Sequence, residues 1–191
     1  MQTADSPIFQ SVEQALHVSF MMEILPVRER SQMEQIIAQL MRECGVREER
    51  EHYAGTVNFS GLTPLEVRAQ CAMIRGVVKD HLPHHQACAV WARWGHQATK
   101  AEGVRGVVEY CGALLSVSHP DARLAMGWAI YGTEAQRREI TAAEIVRGWS
   151  LSPRTVRHDI DALRISGRAL QSAAVSSLDA IFSRGRVCEA A

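Results

Sequence analysis

Residues 141–168, TAAEIVRGWSLSPRTVRHDIDALRISGR, constrain the chain most, because they hold two helix starts separated by a turn. Thr141 and Glu144 have the spacing of a capping box, in which each side chain satisfies a backbone group that the first helical turn leaves free. The predicted helix runs to about Trp149. Ser150 and Leu151 then make a short turn. Ser152 is a good N-cap, and Pro153 has the fixed φ that suits a first helical position. Along this second helix Val156, Ile160 and Leu163 recur at i, i+4 and i+7, and Ile145, Val146 and Trp149 offer the matching face of the first. The two helices can therefore pack as a helix-turn-helix.

The outward positions of the second helix are Arg154, Thr155, Arg157, His158, Asp161 and Arg164. In a DNA-binding helix-turn-helix the start of the second helix reaches base edges in the major groove, where Arg can bond bidentately to guanine and Thr can touch a thymine methyl. Ser152, Arg154, Thr155, Arg157, His158 and Arg164 are the expected DNA contacts on this reading. A capped helical hairpin with a solvated arginine face would show the same outward residues. Agreement between caps, turn, apolar stripe and cationic tip favours DNA.

The whole chain is neutral, with 21 basic and 21 acidic residues among 191, which argues against a protein that coats nucleic acid through charge alone. The positive field is local: residues 147–168 carry Arg147, Arg154, Arg157, Arg164 and Arg168 against Asp159 and Asp161. No apolar run approaches a membrane span, no leader-like start is present, and the five cysteines are odd in number and widely spread. These features predict a soluble cytoplasmic protein with reduced thiols and no membrane partner.

Three segments are expected: an N-terminal helical hairpin and loop (1–62), a central helical body (63–132) and the helix-turn-helix DNA-binding region (133–191). In the first, helices are predicted up to Pro26 and over about 28–44, followed by a surface loop over 46–62. Thr63, Pro64 and Glu66 combine N-cap, N1 proline and capping box, so a helix starts there and ends before Pro83. Further helices are predicted over 84–94, from about 99 to 117, from Ser118 and Pro120 to Gly132, and after a weak capping box at Thr133 and Gln136. A separate last helix follows Gly167. No stretch alternates like a strand, and the expected class is all-α.

Cys71, His81, His84, His85 and Cys88 form the densest group of metal-ligand types. His81 with His84, or His85 with Cys88, could share one helix face, but the close cysteine pair of a structural zinc site is missing. No metal or other cofactor is expected. There is no GxSxG elbow, GxGxxG loop or P-loop, and no enzyme is expected. Trp91 and Trp94, three apart, can share an inner helix face and read as core rather than as a base-stacking platform.

Two stretches, GLTPLEVRAQCAMIRGVVKDHLP and ITAAEIVRGWSLSPRTVRHDIDALR, together resemble the Q-type late-gene transcription antiterminators of phages and prophages, including the AlpA-like activators of bacterial lysis programmes. The resemblance implies a protein that binds DNA near a promoter, loads onto RNA polymerase paused there with its sigma factor, and stays on as the enzyme elongates. In some members it narrows the RNA exit channel and so blocks terminator hairpins. The implied partners are double-stranded DNA and RNA polymerase with its sigma factor, with nascent RNA as an optional third. Arg154, Thr155, Arg157 and His158 carry over as DNA contacts. Members with a cysteine zinc module differ from this chain, which lacks one. Other readings are a promoter-bound repressor or activator that dimerises through the N-terminal hairpin, and a helical interaction protein that touches no DNA.

Overall fold

The computed structural model describes residues 8–25, 57, 62–185 and 187–188. The expected helix over 28–44 and nearly all of the expected loop over 46–62 lie outside these. The described residues are all-helical: α1 (Val12–Ile24), α2 (Pro64–His81), α3 (His84–Trp94), α4 (Gln97–Tyr110), a 3-10 turn (Cys111–Leu114), α5 (Pro120–Tyr131), α6 (Glu134–Glu139), α7 (Ala142–Trp149) and α8 (Pro153–Arg184). None of these helices is long and apolar enough to cross a membrane. The chain groups into two compact units, residues 1–77 with 178–191 and residues 78–177, whose boundaries fall inside α2 and α8.

In the first unit α1 is apolar on nearly all sides and buries Val12, Ala15, Leu16, Val18, Phe20, Met21 and Met22. Ser11 caps it, accepting from the Gln14 N–H at 3.2 Å. The start of α2 is the capping box read from sequence. Thr63 Oγ1 accepts from the Glu66 N–H at 3.3 Å, and Glu66 Oε2 accepts from the Thr63 N–H at 2.6 Å. Arg75 and Arg68 of α2 then donate to the carbonyls of Ser19 and Leu25, at and beyond the last turns of α1. The unit closes where Phe9 donates to the Val187 carbonyl at 3.1 Å, with Phe9 and Cys188 both buried.

The second unit is built on α3 and α4, which approach almost backbone to backbone. A Cβ placed on Gly103 would overlap the Ala92 nitrogen and lie 2.6 Å from the Trp91 carbonyl carbon and 2.7 Å from the Cys88 oxygen, so only glycine allows this approach. Lys100 bridges the ends of α3 and α5 by donating to Ala92 O at 2.7 Å and Tyr131 O at 3.0 Å. Burial, helped by the nearby Arg137, lowers its pKa to about 8. Val104, Val107, Ala122, Met126, Ile145, Val156 and Leu163 from α4, α5, α7 and α8 share one buried core. Trp94 is buried in this unit, Trp91 packs on the core, and Arg93 lies 5.2 Å over the Trp94 ring.

Four local expectations are corrected. First, α8 runs unbroken through Gly167, which does not end a helix but leaves room for a neighbour. A Cβ there would overlap the Tyr131 hydroxyl and sit 3.2 Å from the Tyr131 Cζ. Second, α4 and its 3-10 turn end by Leu114, and residues 115–117 are drawn out of the helix by side chains described below. Third, Pro120 does open α5, but His119 rather than Ser118 occupies the N-cap position, and no side chain caps it. Fourth, Thr141 caps α7 by accepting from the Glu144 N–H at 3.3 Å, whereas the Glu144 carboxylate turns away to pair with Arg147.

Gly167→Ala should lower stability by about 1 to 3 kcal/mol, because overpacking outweighs the better helix propensity of alanine. Adding Tyr131→Phe removes the hydroxyl that is struck and should recover most of the loss. Additive losses in that double-mutant cycle, measured by urea unfolding, would contradict the packing account.

Candidate nucleic-acid interface

Helix α7 ends at Trp149, and Ser150 takes a left-handed conformation, φ 52° and ψ 41°. The Leu151 N–H reaches back to the Val146 carbonyl at 3.1 Å, and Leu151 packs on the core with Val146. This is the hydrogen bond and apolar contact of a Schellman-type helix stop, made without the usual glycine. The Ser152 carbonyl then accepts from the Val156 N–H at 3.1 Å, and α8 begins.

The stripe expected to hold α8 does so: Val156 and Leu163 are wholly buried and Ile160 is 8% exposed. The opposite side carries Arg154, Arg157, His158 and Asp161, all exposed, with Thr155 half-buried and Ser152 exposed at the turn. Arg154, Arg157, His158 and Asp161 follow the i, i+3, i+4, i+7 rhythm, so they form a single helix face. Arg164 lies further along it and pairs with Asp161 at 2.6 Å, as Arg147 pairs with Glu144 on α7. Arg154 and Arg157 take part in no ion pair or hydrogen bond among the described residues. The α8 tip thus carries two exposed guanidinium groups, Arg154 and Arg157, with no partner among the described residues.

By charge alone Asp159 counts against the local basic excess, but its side chain is fully buried. It points to the segment between the 3-10 turn and α5, accepting from the Ser116 N–H at 3.1 Å and the Val117 N–H at 2.8 Å. Arg123 of α5 holds the same segment from its other side by donating to the carbonyls of Val117 and Leu115. Burial by itself raises the Asp159 pKa. The Val117 and Ser116 N–H groups, with His158 and the Ser116 hydroxyl, outweigh that and hold the carboxyl below its ordinary value. The signal was present in the sequence, since Asp159 falls three residues after Val156 and beside Ile160 on the inward side of the helix.

The pinned segment carries three exposed polar residues, Ser116, Ser118 and His119. The His119 ring lies 6.1 Å from that of Trp149, the last residue of α7. His158 Nδ1 lies 3.2 Å from Asp159 Oδ1. Residues 116–119 therefore border the turn and the opening of α8, a neighbourhood no local sequence pattern reveals.

The histidine and cysteine cluster is arranged differently from the pairs considered above. Pro83 separates α2 from α3, so His81 and His84 share no helix face. His84 Nε2 lies 3.5 Å from Cys88 Sγ, one turn along α3, while His85 stacks on Tyr110 with centroids 4.7 Å apart. Among the described residues no group of three or more His, Cys, Asp or Glu side chains is placed to hold a metal ion. Cys71, Cys88, Cys111 and Cys188 are buried free thiols, and burial pushes the Cys88 thiol up to about 11.

A scan of protein-family models gives no match to the chain, and no curated protein matches it.

Proposed function

We propose that this chain is a DNA-binding transcription regulator that reads duplex DNA with the opening turns of α8, α7 and α8 acting as its helix-turn-helix. The observation that carries the proposal is the free, exposed Arg154 and Arg157 beside Thr155 and His158. These sit on a helix whose opposite side is locked into the core through Val156, Ile160 and Leu163. Rigid backing of this kind supports base reading, because a side chain discriminates bases only when its helix cannot rock in the groove.

Arg154→Ala or Arg157→Ala should weaken binding to a duplex selected from a random library by about 1 to 3 kcal/mol, with a smaller change on unselected duplex. Arg164→Ala should matter less, because its charge is already shared with Asp161. Anisotropy titrations at fixed salt measure this. Unchanged affinity of both tip variants for every duplex would sink the proposal.

Within DNA-binding regulation we favour antitermination, with loading onto RNA polymerase and its sigma factor, because of the two quoted stretches and because DNA binding alone has little use for so large a helical body. Transcription with purified polymerase across an intrinsic terminator is the test, on a template carrying the selected element. Increased read-through is expected. No increase, together with a footprint of two-fold symmetry, would instead mark a dimeric promoter-bound regulator.

A further inference from the structure

We infer that residues 116–119 form a second contact with the duplex, gripping the sugar–phosphate backbone through Ser118 and His119 while the α8 tip lies in the groove; this rests on the DNA-binding reading above. Three observations lead to it. Asp159, inside α8, ties the segment to that helix by its bonds to the N–H groups of Ser116 and Val117, 3.1 and 2.8 Å long. His119 lies against Trp149 at the turn that precedes α8, which places the segment at the same end of the helix as Arg154 and Arg157. Arg123 donates to the Leu115 and Val117 carbonyls, so the segment is held from α5 as well as from α8.

Ser118 and His119 are both exposed, and residues 115–120 contain no acidic residue. The nearest carboxylate in sequence, Asp121, opens α5, and the Asp159 carboxylate faces inward to its donors. Hydroxyl and imidazole donors at the same end of α8 as two guanidinium groups without a partner among the described residues match a phosphate strand. Such contacts fix register on the duplex and carry no base preference of their own. Asp159 is then a positioning residue, which sets the distance between the strand-gripping segment and the base-reading tip.

The experiment measures the full chain on two probes, the selected duplex and a duplex of unrelated sequence, across a range of salt. Ser118→Glu should weaken binding to both probes by about tenfold or more, His119→Ala should weaken both by a smaller and similar factor, and Ser118→Lys should tighten both. Arg157→Ala should weaken the selected duplex more than the other, so the two classes of variant separate. Retention of parental affinity by Ser118→Glu and Ser118→Lys, while Arg157→Ala loses binding, overturns this inference and leaves the DNA reading intact. Loss of no affinity in any variant, Arg157→Ala included, overturns both. Ser118→Lys guards against a folding artefact, since a damaged protein would not bind more tightly.

Discussion

Asp159→Ala is expected to lower the stability of the chain by about 3 to 5 kcal/mol, a large share of what a domain of this kind has. The carboxylate is wholly buried and accepts from the N–H groups of both Ser116 and Val117. Truncation removes two charge-assisted bonds and leaves the buried Val117 donor without its acceptor. Urea unfolding should show a lower midpoint at unchanged slope. A loss under about 1 kcal/mol would mean that the segment finds other acceptors without strain. The pH dependence has a definite sign. The folded pKa lies below the ordinary value of an aspartate, so the contribution is fully present above that ordinary value and is lost as the pH falls through the folded one. Asp159→Asn, which cannot titrate, should therefore be less stable than the parent at neutral pH and lose less stability on acidification.

Gly103→Ala should destabilise by about 3 kcal/mol or more, because the new methyl would meet backbone atoms of α3 rather than a side chain that can rotate away. The helices would have to separate, and that would loosen the packing around Cys88 and Ala92 on the α3 side of the core. The same substitution at Gly76 is the control. A Cβ there meets nothing within 4 Å, so Gly76→Ala in α2 should gain up to about 1 kcal/mol from helix propensity. Similar melting behaviour for the two variants would disprove the close approach of α3 and α4.

The opposite fates of these glycines mark what the amino-acid sequence could and could not reveal. Local chemistry was legible: the boxes at Thr63 with Glu66 and Thr133 with Gln136 form as read, and α3 spans 84–94 as expected from Pro83 and Gly95. The apolar stripe of α8 was legible for the same reason, since helical period alone assigns Val156, Ile160 and Leu163 to one side. Distant partners decided the rest. Gly167 looks like a stop until Tyr131 is seen against it, and the end of α4 depends on Asp159 and Arg123, which come later in the chain. Arg154 and Arg157 were correctly placed outward by periodicity. The placing of residues 116–119 near the turn before α8 was not found, because Asp159 and Trp149 meet this segment through tertiary structure alone.

The unbroken course of α8 through Gly167 sets a rule for how its length can change. Each residue of an α-helix turns it by roughly 100°. Inserting one residue between positions 164 and 169 would therefore swing Leu170 and Ala174 about a quarter of a turn out of line with the buried Val156, Ile160 and Leu163. An insertion of seven residues nearly restores the phase, so indels along this stretch should be tolerated in multiples that complete whole turns and rejected otherwise.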